Sequence, residues 1–225
     1  KAPFSWAGYK RREGDMGSED LSPATASKVA AALRAAAYEE SEIDYFRTLH
    51  PMAIYRALQY SKALSSREQA ALRPNIDIQL ARQANMRAWP IREAEGMREY
   101  YRIEKSASAE QVDQLVSAMC DMYLDSARLE NYRRLERTYV EDLSAQPGVE
   151  TAWEKKRRFN VEALGLPSST MAMDIDERNP RMAQKMMRYM QSEDVLIFVG
   201  AAHIGGPMGL LKIFRDNGLR VERLQ

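Results

Sequence analysis

DVLIFVGAAHIGGPMGLLKIFRDNGLRVERLQ, residues 194–225, decides how the fold is read. Val195, Leu196, Ile197, Phe198 and Val199 form an unbroken apolar run rich in β-branched side chains. Such a run predicts a strand buried on both faces. It stops at Gly200, and the small-residue turn Gly200-Ala201-Ala202-His203 follows. Gly205-Gly206-Pro207 then predicts the opening of a helix, with proline suited to its first turn. Leu210, Leu211 and Phe214 share one helical face. Asn217-Gly218 predicts a left-handed stop, and residues 219–224 alternate like a half-buried strand. The expected unit is strand, loop, helix, strand. It sets His203 just past the carboxyl end of a buried strand, the edge at which open α/β sheets bind ligands.

Moving outward from that unit, Asn179-Pro180 marks a turn, and 180–190 reads as the helix feeding the strand. The polar stretch 174–179 lies just before it. Residues 149–166 read as a charged helix containing Lys155-Lys156-Arg157-Arg158; flanking acids make this run a solvated helical face. Gln146-Pro147-Gly148 and 165–169 are loops. Further back, Ser108 to Gln111 is a capping-box pattern opening a long helix. Val112, Leu115, Val116, Met119, Met122 and Tyr123 form its core stripe. A weaker stripe carries helix on from Asp125 to about Ser144.

Residues 85–95 differ from their surroundings. Met86, Ala88, Pro90 and Ile91 predict a short strand, ending in Arg92-Glu93-Ala94-Glu95-Gly96. A carboxylate there serves either a ligand or a solvated turn. Nearer the start, Ser22-Pro23 predicts a capped helix running to about Ala37. Shorter helices follow over 41–48, 51–64 and 76–84, with His50-Pro51 as a break. Lys1 to Ser22 has no period and reads as a flexible segment.

The expected fold class is therefore α/β, or α+β by content. A small central sheet carries a helical insertion over about 22–166, with 1–21 outside the domain 22–225. The chain has 33 basic and 32 acidic residues, which gives no electrostatic case for nucleic acid or an anionic membrane. No apolar run reaches the roughly eighteen residues of a membrane span. One cysteine, Cys120, excludes an internal disulfide and a cysteine-built zinc site. Its helical neighbours Met119 and Met122 make it a core thiol.

No P-loop, dinucleotide glycine fingerprint, H-E-x-x-H or G-x-S-x-G occurs. Of two histidines, His50 reads as a turn residue. His203 follows small side chains that leave the ring room, and precedes Gly205-Gly206 at an expected helix start. Free N–H groups there favour an anion or a polarised oxygen. A histidine so placed serves as metal ligand, as general acid or base, or as a structural hydrogen-bonding group. Arg178-Asn179 would sit beside the same edge or cap a helix.

Three stretches carry a resemblance: E-R-N-P-R-M-A (177–183), F-V-G-A-A-H-I-G-G-P-M-G-L-L (198–211) and N-G-L-R-V-E-R-L (217–224). Together with Asp77, Leu80, Ala84 and P-I-R-E-A-E (90–95), they resemble the TraB/GumN family, related to the Tiki proteases. Ala94 stands where that family has leucine. The family is similar to haem-binding ChaN-like and erythromycin-esterase-like proteins, which implies an α/β core with a helical insert. Its Gly-x-x-His pair and glutamates imply a divalent metal (manganese, cobalt or zinc) used in peptide hydrolysis. Gly200 to His203 matches the second Gly-x-x-His, Glu95 the glutamate, and Arg178 and Asn179 the Arg-Asn pair.

The resemblance thus implies His203 and Glu95 as metal ligands, and His203, Glu95, Arg178 and Asn179 as catalytic residues. Gly200, Gly205 and Gly206 fall to binding. The first Gly-x-x-His has no counterpart, so two ligands remain where catalytic zinc has three. Because the rest of the motif set is retained, the expectation is a fragment of a metal-dependent peptidase, nearly inactive until the missing motif is supplied. The alternative is a regulatory protein that binds a peptide or small ligand without turnover. A homo-oligomer stays open, and an exported, periplasmic location is implied by the resemblance alone.

Overall fold

The computed structural model describes residues 6–61, 76–134, 177–200 and 203–222. The expectations placed on 149–166, Lys155–Arg158 included, on the loop 165–169 and on 174–176 lie outside these residues. The chain divides into two compact units, one of residues 1–92 and 96–133, the other of 93–95 and 134–225.

The first unit is a helical bundle. Among the described residues its helices include α1 (Pro23–Ala35), α2 (Glu40–Arg47), α3 (Met52–Gln59), α4 (Ile76–Met86), α5 (Met97–Lys105) and α6 (Ala109–Leu124). Local chemistry sets where they start. The Ser22 hydroxyl accepts from the Thr25 N–H at 3.2 Å, and Pro23 needs no partner for a missing N–H. Ser108 and Gln111 close the expected capping box, each side chain accepting from the other's backbone N–H. Asp125 takes the N–H groups of Ala127 and Arg128, opening the helix that follows.

Burial follows the helical stripes. Val29, Ala32 and Leu33 of α1 meet the Val112, Val116, Met119 and Cys120 side of α6. Ile43, Phe46, Ile54 and Leu58 of α2 and α3 complete the layer. Burial pushes the Cys120 thiol up to about 12, as suits an inert core group. Asp113 accepts from both the N–H (2.8 Å) and the hydroxyl (3.0 Å) of Ser22, and Lys28 pairs with Asp121 at 2.6 Å, so polar contacts fix how α1 sits along α6. The start of the chain, expected as a loop, is anchored by Tyr9, which is fully buried beneath Tyr101.

Two α-helices end on an alanine with positive φ, Ala37 (66°) after α1 and Ala88 (53°) after α4. In each the N–H two residues past the cap returns to the third-last carbonyl: Tyr38 to Leu33 and Trp89 to Ala84. These are Schellman closures built without glycine.

The second unit contains α7 (Arg178–Met190) packed on α8 (Leu210–Asp216). Met182, Ala183 and Met186 meet Leu210 and Phe214 at its core, with Ala94, Ile197, Val199 and Val221 against them. Gly218 (φ 83°) follows α8, and the N–H of Leu219 reaches the Phe214 carbonyl at 3.0 Å, the left-handed stop read from Asn217-Gly218.

The expected α/β fold is overturned. Among the described residues there is no strand and no sheet; an isolated antiparallel bridge between Lys10 and Leu49 is the nearest approach. Residues 195–199 and 219–222 run without regular structure. Ile197 and Val199 pack on the helices, whereas Leu196 is 80 % and Phe198 50 % exposed. An apolar run states that side chains prefer to leave water; it does not supply a ladder partner or a second layer. The short strand expected over 86–91 is likewise absent, because α4 continues to Met86 and turns at Ala88. No helix among the described residues is long and apolar enough to cross a membrane.

Candidate functional site

Three segments of the second unit converge at the start of α7. The helix opens at Arg178, two residues before the proline expected to begin it, so Arg178 and Asn179 occupy its first turn. Consecutive residues in that turn hold the two groups singled out in the sequence.

Arg178 grips Glu95. Its Nε donates to both carboxylate oxygens at 2.8 and 3.0 Å, and Nη2 adds a third contact. Both side chains are 13 % exposed, so the pair sits in a medium where charge attraction is stronger than at a wet surface. The negative charge of Glu95 is thus balanced by a fixed cation.

Asn179 grips the loop that carries His203. It is fully buried, and its amide is used from both ends. Nδ2 donates to the carbonyls of His203 (3.0 Å) and Met208 (2.7 Å), while Oδ1 lies 2.7 Å from His203 Nδ1. One side chain thus staples both ends of the turn 203–208 and the imidazole above it, as buried amides must be satisfied.

The glycines give that turn its shape. The helix expected to open at Gly205-Gly206-Pro207 opens three residues later, at Leu210 with Gly209 as cap. Gly205 and Gly206 belong to the turn instead, Gly206 with φ 86°. The N–H of Leu211 returns to the Ile204 carbonyl at 3.2 Å and that of Gly209 to the Gly206 carbonyl at 3.0 Å. A Cβ on Gly209 would stand 2.3 Å from the Gly205 carbonyl oxygen, so only glycine lets the backbone double back and present Met208 to Asn179. Gly200 is different: an added Cβ there meets His203 at an ordinary 3.7 Å. Sequence reading missed Gly209 and the Met208 carbonyl. The third glycine of G-G-P-M-G was the available signal, but a backbone acceptor leaves none.

His50 belongs to the first unit. It is buried, its Nδ1 accepts from the Met52 N–H at 3.2 Å, and its own N–H reaches the Tyr9 carbonyl. Burial, and then the Lys105 cation, lower it to about 4, so it is a neutral structural group.

The model of the TraB/PrgY/gumN family matches residues 2–223. The chain belongs to the TraB/PrgY/gumN family. No curated protein and no solved structure matches it. A metal of the kind the resemblance implies finds an incomplete set of donors among the described residues of this TraB/PrgY/gumN chain. Among the described residues no three His, Cys, Asp or Glu side chains converge. Of the two implied ligands, Glu95 is already forked by Arg178. The described residues alone do not fit a catalytic metal centre.

Proposed function

We propose that this chain is a hydrolase acting on peptides, with His203 as its proton-transfer group. The observation that supports the reading is the double clamp at α7: Arg178 on Glu95 and, one residue on, Asn179 on His203. Hydrolysis needs a base able to take a proton from water near neutral pH, and an imidazole held by a third group is the usual solution. Since Glu95 is committed to Arg178, proton transfer falls to His203. The Arg178–Glu95 pair keeps the segment 93–95 fixed against the start of α7. A divalent metal, manganese, cobalt or zinc, enters this reading only if further donors join from residues beyond those described.

The test is incubation of the chain with a peptide library, with and without added manganese or cobalt, beside His203→Ala. Cleavage that the substitution abolishes supports the proposal. No product from the chain, nor from any longer natural form of it, refutes it.

A second reading, peptide binding without turnover, draws on one observation of its own. Leu196 and Phe198 are exposed to solvent on a segment without regular structure. Apolar side chains of a peptide can pack on them and leave water. Saturable, chelator-insensitive binding without product, weakened by Leu196→Ser, would favour it.

A further inference from the structure

We infer that Asn179 is a positioning residue: it holds His203 in the tautomer with the proton on Nδ1, so that Nε2 carries the lone pair. The amide has no freedom to do otherwise. Turning it over would point Oδ1 at the His203 and Met208 carbonyl oxygens, which now lie 3.0 and 2.7 Å from Nδ2. Two acceptors would face a third with no proton between them, in a fully buried place. Nδ2 therefore stays on the carbonyls and Oδ1 stays on the imidazole. An amide oxygen accepts only, so the 2.7 Å contact requires a proton on His203 Nδ1. In the neutral ring the remaining nitrogen, Nε2, is then the basic one.

Asparagine is chosen over aspartate for a structural reason. A carboxylate at 179 would still accept from Nδ1, but would set its charge against the two backbone carbonyls. The neutral amide orients the ring and staples the turn with one group.

The chain supplies its own internal contrast. It has two histidines, and in His50 the backbone N–H of Met52 donates to Nδ1 at 3.2 Å. That nitrogen bears the lone pair, so the His50 proton is on Nε2. The two imidazoles of the molecule are opposite tautomers. The use of His203 Nε2 in turnover rests on the hydrolytic reading; the tautomer itself does not.

The experiment is carbon-13 and nitrogen-15 NMR of the two rings, in the intact chain, at alkaline pH where ordinary imidazoles are neutral. Ring shifts distinguish the tautomers directly. His203 is expected in the Nδ1–H form and His50 in the Nε2–H form. In Asn179→Ala, His203 should move to the Nε2–H form that free side chains favour, while His50 stays unchanged. Asn179→Asp keeps the acceptor and should keep the Nδ1–H form. Wild-type His203 in the Nε2–H form overturns the inference. So does an Nδ1–H signal that persists in a folded Asn179→Ala chain. If that variant does not fold, the wild-type spectrum alone decides the tautomer, and Asn179→Asp decides whether an acceptor at 179 is enough to hold it. A chain that cleaves nothing yet shows the opposite tautomers sinks the hydrolytic proposal and leaves this one standing.

Discussion

Replacing Glu104 by glutamine should destabilise the first unit far more than any surface charge change. Glu104 and Arg56 face each other with side chains only 6 % exposed, and Arg56 Nε donates at 2.8 Å. The Tyr9 hydroxyl donates to the other carboxylate oxygen. Burial and the Glu104 charge push that phenol far up, so it stays protonated and donating. Glutamine preserves the shape but removes the charge, leaving a cation buried against a neutral amide. Breaking a buried pair from one side costs about 3–5 kcal/mol. Arg56 lies 5.2 and 5.6 Å from the Tyr55 and Tyr100 ring centroids, which offsets about 1 kcal/mol of that. The expected loss is about 3 kcal/mol, or about 6–12 °C in Tm for a chain of this size. Urea unfolding followed by circular dichroism measures it. Arg56→Met with Glu104→Leu should recover most of the loss, because neither charge is then buried alone. Glu40→Gln, in the exposed Arg34–Glu40 pair, should leave the midpoint in place. A loss below about 1 kcal/mol for Glu104→Gln, or a double variant as weak as the two single losses summed, would refute the reasoning.

Other expectations follow from single contacts. Ala37→Gly should stabilise the chain by about 0.5–1 kcal/mol, since a left-handed alanine closes α1; an unchanged urea midpoint would count against the Schellman assignment. Gly209→Ala should cost about 1–3 kcal/mol as its Cβ meets the Gly205 carbonyl, and should disperse the His203 ring signals; a silent substitution would mean the turn is not closed. His50 is lowered from 6.5 to about 4 by burial, with Lys105 and Arg11 lowering it further and Asp15 opposing them. Because the unfolded ring binds its proton first, stability should be full above about pH 6.5 and fall as pH drops toward 4. His50→Asn, which keeps an acceptor for the Met52 N–H, should flatten that part of the urea-midpoint profile, and an unaltered slope would contradict the assignment.

Much of the helical framework was legible because its causes are local. Ser22 and Ser108 act on N–H groups three residues ahead, Gly218 stops a helix by its own φ, and the Val112–Tyr123 stripe is a matter of spacing along one element. The motif residues 177–183 and 198–211 were enough to point to the family whose model spans 2–223. The same local logic misread 195–199, where the apolar pattern was right about Ile197 and Val199 but carried no information on a ladder partner.

The sequence by itself therefore determined most helices of the first unit, though not α5, together with the caps at Ser22 and Ser108, the buried thiol and the family. Only the tertiary structure decided that 195–199 forms no strand, that Arg178 takes up Glu95 across 83 residues, and that Asn179 and His203 meet across 24. A cap or a stripe is set by neighbours within one turn, whose geometry the chain repeats wherever those residues occur. A tautomer or a balanced carboxylate depends on which distant group arrives, and that follows from how the helices pack.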